Sequence, residues 1–376
     1  MLFAYTYVPH QMEKMQEFID FIFDQVWCQA PINGPFGLNL FDAKPELKEV
    51  MEAFFYSDAA GADFFYGHVQ RIHGLFATLN AADIAQFQSW FRGNNDVQKV
   101  CDNDPTIQLA RYSDIPISQA NLAAQLGSFF KGLYSQRLLD LAALRAKIGD
   151  IDDHYQTFMQ TNIAGKCPFC GINDLLGEYH SKREAYDHYL PKAIYPFNSI
   201  NFKNLVPACH HCNSSYKTSK DPVYTPKDPA RLTHRRAVFY PYSTEPHAID
   251  ITVDLAKTDV ANLTPADINL QFGPAVLNEQ IETWKDVYGI EERYKAKLCS
   301  ESDGKYWVTQ VLDEWTEDGR EPDQFLKTLK RQTKRNPFAE CNFLKKSFLE
   351  SCQNKGLFNV PPKPTTNIAS GGGDNL

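Results

Sequence analysis

Cys167-Pro-Phe-Cys170 and Cys209-His-His-Cys212 bracket a segment that carries Asp187-His188-Tyr-Leu-Pro-Lys192 and Asn204-Leu-Val-Pro-Ala-Cys209, and that runs on to Asn213 and Lys217. Each Cys-x-x-Cys spacing lets both thiolates of a tight turn face one ion. Two such turns complete the tetrahedral sulfur shell that zinc prefers. A four-thiolate shell has no open position for water, so this Zn²⁺ is expected to be structural and to supply folding energy to a loop-rich segment. His210 and His211 stand inside the second turn but are not needed as ligands. The two turns lie further apart than in a simple zinc ribbon, so something is built between them.

Between the cysteine pairs the residue types suit phosphodiester hydrolysis, which needs a base for water and a cation on the leaving oxygen. Asp187 and His188 are adjacent. On a strand they face opposite sides, so one can reach a metal and the other a water. Asn213 follows the last zinc cysteine, where a short helix is expected over 214–220, with Lys217 one turn on. A carboxylate and an amide oxygen suit a hard divalent ion such as Mg²⁺.

The order of first knuckle, Asp-His, Pro-Lys, Asn-Leu, second knuckle and Asn resembles the HNH endonucleases, whose ββα-metal unit is often braced by two Cys-x-x-Cys knuckles. The resemblance covers roughly the segment Cys167 to Lys220. It implies His188 as general base, Asp187 as a metal ligand, Asn204 as a brace for the hairpin loop, and Asn213 as a metal ligand where the family has its last histidine. An asparagine there implies Mg²⁺ or Mn²⁺ as the catalytic ion. Lys217 is open to two readings, a contact to phosphate or the transition state, or a solvent-facing lysine. The implied activity is cleavage of DNA, with RNA as the alternative. Two further readings stay open. One is a nuclease effector working with an ATPase or another defence subunit, as in the Septu-type and retron-linked anti-phage systems the chain resembles. The other is a zinc-braced binding module that does not cut.

The surroundings fit a chain of 376 residues with two or three domains. The formal net charge is −8, yet 166–236 holds eleven Lys/Arg against six Asp/Glu, a local net of +5 where a polyanion would sit. No apolar run is long enough for a bilayer and no secretory signal is visible, so a cytoplasmic protein is expected, without a membrane partner. Cys28, Cys101, Cys299, Cys341 and Cys352 are scattered and read as small buried hydrophobes.

The fold expected is α+β. Residues 1–160 read as a helical domain. Met12, Met15, Phe18, Ile19, Ile22 and Val26 recur at helical spacing, and one long segment from Leu122 to Ile148 does so too. Asn33-Gly34-Pro35 and Gly93-Asn94-Asn95 read as breaks, and His68 and His73 as packing residues. The zinc-braced nuclease unit is placed at 161–236. A mixed region follows at 237–357, with strands at Ile249–Leu255 and Ile268–Phe272 and a helix carrying Ile281, Trp284, Val287 and Tyr288. A disordered tail is expected at 358–376. Lys327, Lys330, Arg331, Lys334 and Arg335 form one basic helix face, either solvated or contacting a DNA backbone.

Overall fold

A computed structural model describes residues 1–245 and 247–359, so the expected tail lies, from residue 360 on, outside the described residues. The class is α+β, with a helical N-terminal region and two small antiparallel sheets. Among the described residues no helix is long and apolar enough to cross a membrane.

The chain divides into two compact units. The first joins Met1–Ala248 to Leu277–Tyr288, so the segments that the sequence separates at residue 160 lie in one body. Its helices include Lys14–Phe21, Pro45–Phe55, Ala60–Phe76 and Ala81–Asn95. Their apolar stripes meet in an aromatic core. Phe23 stacks on Phe91 at 4.0 Å, and Trp27 packs on Phe76 and Phe129 while its indole N–H donates to the Val69 carbonyl at 3.0 Å.

One sequence expectation shifts here. The long segment from Leu122 to Ile148 is three helices, Ala120–Leu133, Gln136–Leu139 and Ala142–Ile148. The first stops at Tyr134, whose backbone leaves the helical region (φ −91°, ψ 60°). Gly93-Asn94-Asn95 forms the last turn of the Ala81–Asn95 helix, which ends there as expected, with Asp96 out of the helical region (φ −86°, ψ 68°) before the next helix at Val97–Cys101. The glycine is there for space, since a Cβ at 93 would sit 2.1 Å from the Gln108 carbonyl oxygen. Asn94 and Asn95 are adaptors. Their side chains donate to the carbonyls of Pro196 (2.9 Å) and Phe197 (3.3 Å), and Asn198 and Asn201 donate back to the carbonyls of Asn94 and Asn95.

Strand β1 (Tyr186–His188) pairs antiparallel with β2 (Leu205–Pro207), in the register Asp187 opposite Val206. The loop between them drives Phe197 into the helical core, against Phe23, Phe91 and Phe130. Phe197 has φ +80°, which costs a non-glycine residue about 1–3 kcal/mol. Complete burial of a Phe ring returns a similar or larger amount, about 1.5–3 kcal/mol, and the asparagine bonds add to it. A short helix follows at His211–Lys217. It begins earlier than 214 and is wide, with Thr218 N–H bonding back to the Asn213 carbonyl. The Asn278–Tyr288 helix buttresses the first knuckle through Trp284, whose N–H donates to the Phe169 carbonyl at 2.6 Å.

The second unit holds Ile249–Val276 and the chain from Gly289 onward. Strands β3 (Asp250–Leu255) and β4 (Ile268–Gly273) pair antiparallel, matching the alternation in sequence. The Asn342–Asn354 helix covers β3, with the Ser347 hydroxyl donating to the Ile251 carbonyl at 2.6 Å. The Gly304–Glu317 and Pro322–Arg335 helices pack beside it.

Candidate functional site

Cys167, Cys170, Cys209 and Cys212 are buried, and their sulfurs all lie within 4.8 Å of one another. Zinc with bonds of about 2.3 Å would need sulfurs about 3.8 Å apart, and Cys170 and Cys209 already stand at 4.0 Å. The cluster can hold a zinc ion. Each turn is shaped for it. Gly171, at φ +66°, lets its N–H reach the Cys167 carbonyl at 2.7 Å, and the Asn173 amide donates to the Cys209 sulfur at 3.3 Å. His210 and His211 are exposed and outside the cluster.

The knuckles set β1 and β2 beside the His211–Lys217 helix, a ββα arrangement that gathers Asp187, His188 and Lys217. Lys217 is fully buried. Its ammonium donates to Asp187 Oδ1 and to the His188 carbonyl, both at 2.9 Å. The solvent-facing reading of Lys217 is therefore overturned. Two of its three ammonium protons are engaged in these bonds. The physical reason is charge compensation: Asp187 is only 3% exposed, and an ionised carboxylate so placed needs a partner. Burial still pushes the Asp187 carboxyl above its usual range, with Lys217 pulling it down. The other oxygen, Oδ2, is buried with no hydrogen-bond partner. An orphaned carboxylate oxygen is a fitting donor for a hard divalent ion. Asn213 lies on the same short helix, half-buried, four residues before Lys217.

His188 faces the other way. Its Nε2 lies 2.9 Å from the Ser199 carbonyl, which can only accept, so Nε2 carries the proton and Nδ1 keeps the lone pair. Burial, and next the nearby Lys192 ammonium, lower its pKa to about 3, so the ring is neutral at pH 7. The Tyr134 ring stands edge-on to the imidazole at 5.0 Å, perpendicular to it. Lys192 lies 5.6 Å from the Tyr134 ring centre, and burial lowers its pKa as well.

Asn204 is completely buried at the base of the loop. Its oxygen accepts from the Leu190 N–H at 2.7 Å, and its amide donates to the carbonyls of Leu190 (3.1 Å) and Asn198 (3.2 Å). It thus ties the two ends of the loop whose Ser199 carbonyl orients His188. Outside the hairpin, Tyr242 and Tyr5 donate to the β2 carbonyls of Leu205 and Pro207.

Ser199 and Tyr134 were not singled out by the sequence. Ser199 acts through its backbone, which leaves no residue-type signal. Tyr134 arrives from a helix end in the N-terminal region, and no local pattern joins it to His188. A weaker signal exists in polar satisfaction. Asp187 Oδ2, Asn198 Oδ1, Ser199 Oγ and the Tyr134 hydroxyl are all buried without a partner, on residues that belong to the hairpin or touch His188.

Compared with known proteins, the chain is similar over 64 residues to the Septu protein PtuB of Bacillus thuringiensis, at 36% identity. The match spans 16% of this chain and 24% of that protein, so the chain covers about a quarter of the length of the relative it matches. No family model matches the chain. No solved structure matches it either.

Proposed function

We propose that the chain is a metal-dependent HNH endonuclease that hydrolyses phosphodiester bonds of DNA. The observation that carries this reading is the pairing of opposed roles on one short strand: Asp187 presents an unpartnered carboxylate oxygen to one side, and His188 presents an unprotonated Nδ1 to the other. A zinc-braced module that only bound nucleic acid would have no use for that pair.

In this reading His188 Nδ1 takes a proton from the attacking water. The positive charge that forms on the ring is shared with the Ser199 carbonyl through Nε2–H. A neutral imidazole is ready to accept, but a pKa of about 3 gives it little driving force. A phosphate anion beside it raises that pKa, because negative charge favours the imidazolium. Substrate binding thereby tunes the base. Asp187 Oδ2 and Asn213 would hold the Mg²⁺ or Mn²⁺ ion. Bound there, the ion would stabilise the charge developing on the leaving oxygen. Lys217 keeps Asp187 ionised and aimed, and Asn204 keeps the Ser199 loop in place.

Similarity to a Septu protein fits a second, compatible reading, a component of an anti-phage defence system; in our proposal it is the nuclease effector and works with an ATPase or another defence subunit.

The test is purified protein with supercoiled plasmid, linear duplex and single strands, with and without Mg²⁺ and Mn²⁺. The parent should cut only with a divalent ion, and His188→Ala should lose about 10²-fold or more of the rate. His188→Ala cutting at the parental rate, with equal zinc content, would reject the mechanism.

A further inference from the structure

The Pro322–Arg335 helix of the second unit carries a feature that the hydrolytic site does not explain. Leu326 and Leu329 are buried against neighbouring helices, which fixes the helix about its axis. Its outer face shows Lys327, Lys330, Arg331, Lys334 and Arg335, all exposed. From Lys327 to Arg335 the sequence is Lys-Thr-Leu-Lys-Arg-Gln-Thr-Lys-Arg, without one acidic residue.

The other helices of this unit treat their cations differently. Lys295 pairs with Glu291, Lys305 with Glu301 and Lys346 with Glu350, each at i,i+4, and Lys297 pairs with Asp303. Among the described residues, none of the five cations on the outer face has a carboxylate within ion-pair distance. Favourable interaction with the helix dipole accounts for Lys334 and Arg335 in the last turn, but the effect fades within one turn and leaves Lys327, Lys330 and Arg331 unexplained. An ordinary solvated face mixes signs, as the neighbouring helices do. This one keeps a single sign in a protein whose net charge is −8.

The geometry points to a docking surface for the sugar-phosphate backbone of duplex DNA. Eight residue steps at 1.5 Å place Lys327 and Arg335 about 12 Å apart along the axis. One strand of B-DNA offers a phosphate about every 3.4 Å of axis, roughly three or four over that length, whereas a duplex offers about seven. Five cations outnumber the phosphates of one strand, so their neutralisation calls on both. The face holds no aromatic side chain on which unpaired bases could stack. It reads charge and not sequence. The inference gives the nuclease reading its substrate grip and rests on that reading for its biological sense, but its test needs no cleavage.

The experiment measures duplex binding by the full chain in the His188→Ala background, without Mg²⁺ or Mn²⁺, across a salt series. Lys330→Gln, Arg331→Gln and Lys334→Gln are combined. Each lost phosphate contact should reduce the salt slope by about 0.9, which at 0.1 M salt is about eightfold in affinity. The triple variant should therefore lose about 2.7 from the slope and several hundredfold in binding, with an unchanged melting temperature. A control removes three paired lysines of the same unit, Lys295→Gln, Lys305→Gln and Lys346→Gln, and should lose far less. Four results would overturn the proposal: no duplex binding by the parent, an unchanged slope in the triple variant, an equal loss in the control, or tighter binding of single strands or of a protein partner through this face. Failure of the nuclease reading looks different. A chain that binds duplex through this helix, yet never cuts with His188 restored and Mg²⁺ or Mn²⁺ present, leaves the docking surface standing and removes the hydrolysis.

Discussion

Replacing Lys217 with Met tests whether the buried ion pair organises the site. The ammonium makes two bonds of 2.9 Å, to Asp187 Oδ1 and to the His188 carbonyl, in a place with no solvent. Methionine fills most of the volume and removes the charge. Two independent estimates give the cost. Leaving one partner of a buried pair uncompensated costs about 3–5 kcal/mol. Alternatively, Asp187 escapes by taking a proton; from its ordinary value of 3.8 to pH 7, at about 1.36 kcal/mol per unit, that costs about 4 kcal/mol. Burial already raises Asp187 in the parent, so the second figure is an upper limit, and the loss should be about 3–4 kcal/mol. The sign of its pH dependence follows. Burial raises the folded-state pKa of Asp187, and removing Lys217 raises it further. A raised carboxyl pKa destabilises the fold above the unfolded value and stops doing so as pH falls toward it. The deficit of Lys217→Met should therefore be full near pH 7.5 and shrink on acidification, by up to about 1.4 kcal/mol per pH unit. The assay is urea unfolding of zinc-loaded protein at pH 7.5 and pH 5.5. A companion, Lys217→Met with Asp187→Asn, should recover much of the stability and none of the cleavage. A single variant within 1 kcal/mol of the parent, or a double variant no more stable than the single, would refute the argument.

Two more outcomes follow from the same structure. The folded chain should hold about one zinc, and Cys167→Ser or Cys212→Ser should lose it and lower the melting temperature of the first unit, because a structural metal supplies folding free energy directly; elemental analysis beside a melting curve checks this, and a folded sample free of zinc would contradict it. Phe197→Ala should cost about 3–5 kcal/mol and slow cleavage as well, since the same loop offers Ser199 to His188. Denaturant unfolding followed by tryptophan fluorescence and by zinc release should then shift together, and a shift in only one of them would mean that the helices and the hairpin are not one cooperative body.

What the sequence determined by itself is local chemistry. Four cysteines at two x-x spacings gather because thiolates two residues apart in a turn already point the same way, and the structure brings their sulfurs within 4.8 Å. The α+β class was legible because helices and strands write their burial at periods of 3.6 and 2. Met15, Phe18, Ile19 and Val253, Leu255 are buried as those periods require. What the tertiary structure alone decided is everything that joins distant residues. Lys217 reads as a phosphate contact or a solvent-facing lysine until Asp187 is placed against it. Gly93-Asn94-Asn95 reads only as a helix end, which it is, and its two amides gain a role when a loop about a hundred residues on arrives to use them. Tyr134 and the Ser199 carbonyl acquire meaning only beside His188. The reason is physical. A periodic pattern reports which face of an element is dry, but not which groups share that dryness. Satisfying buried polar groups is a long-range condition, and it is met by partners whose separation along the chain carries no regular spacing to read.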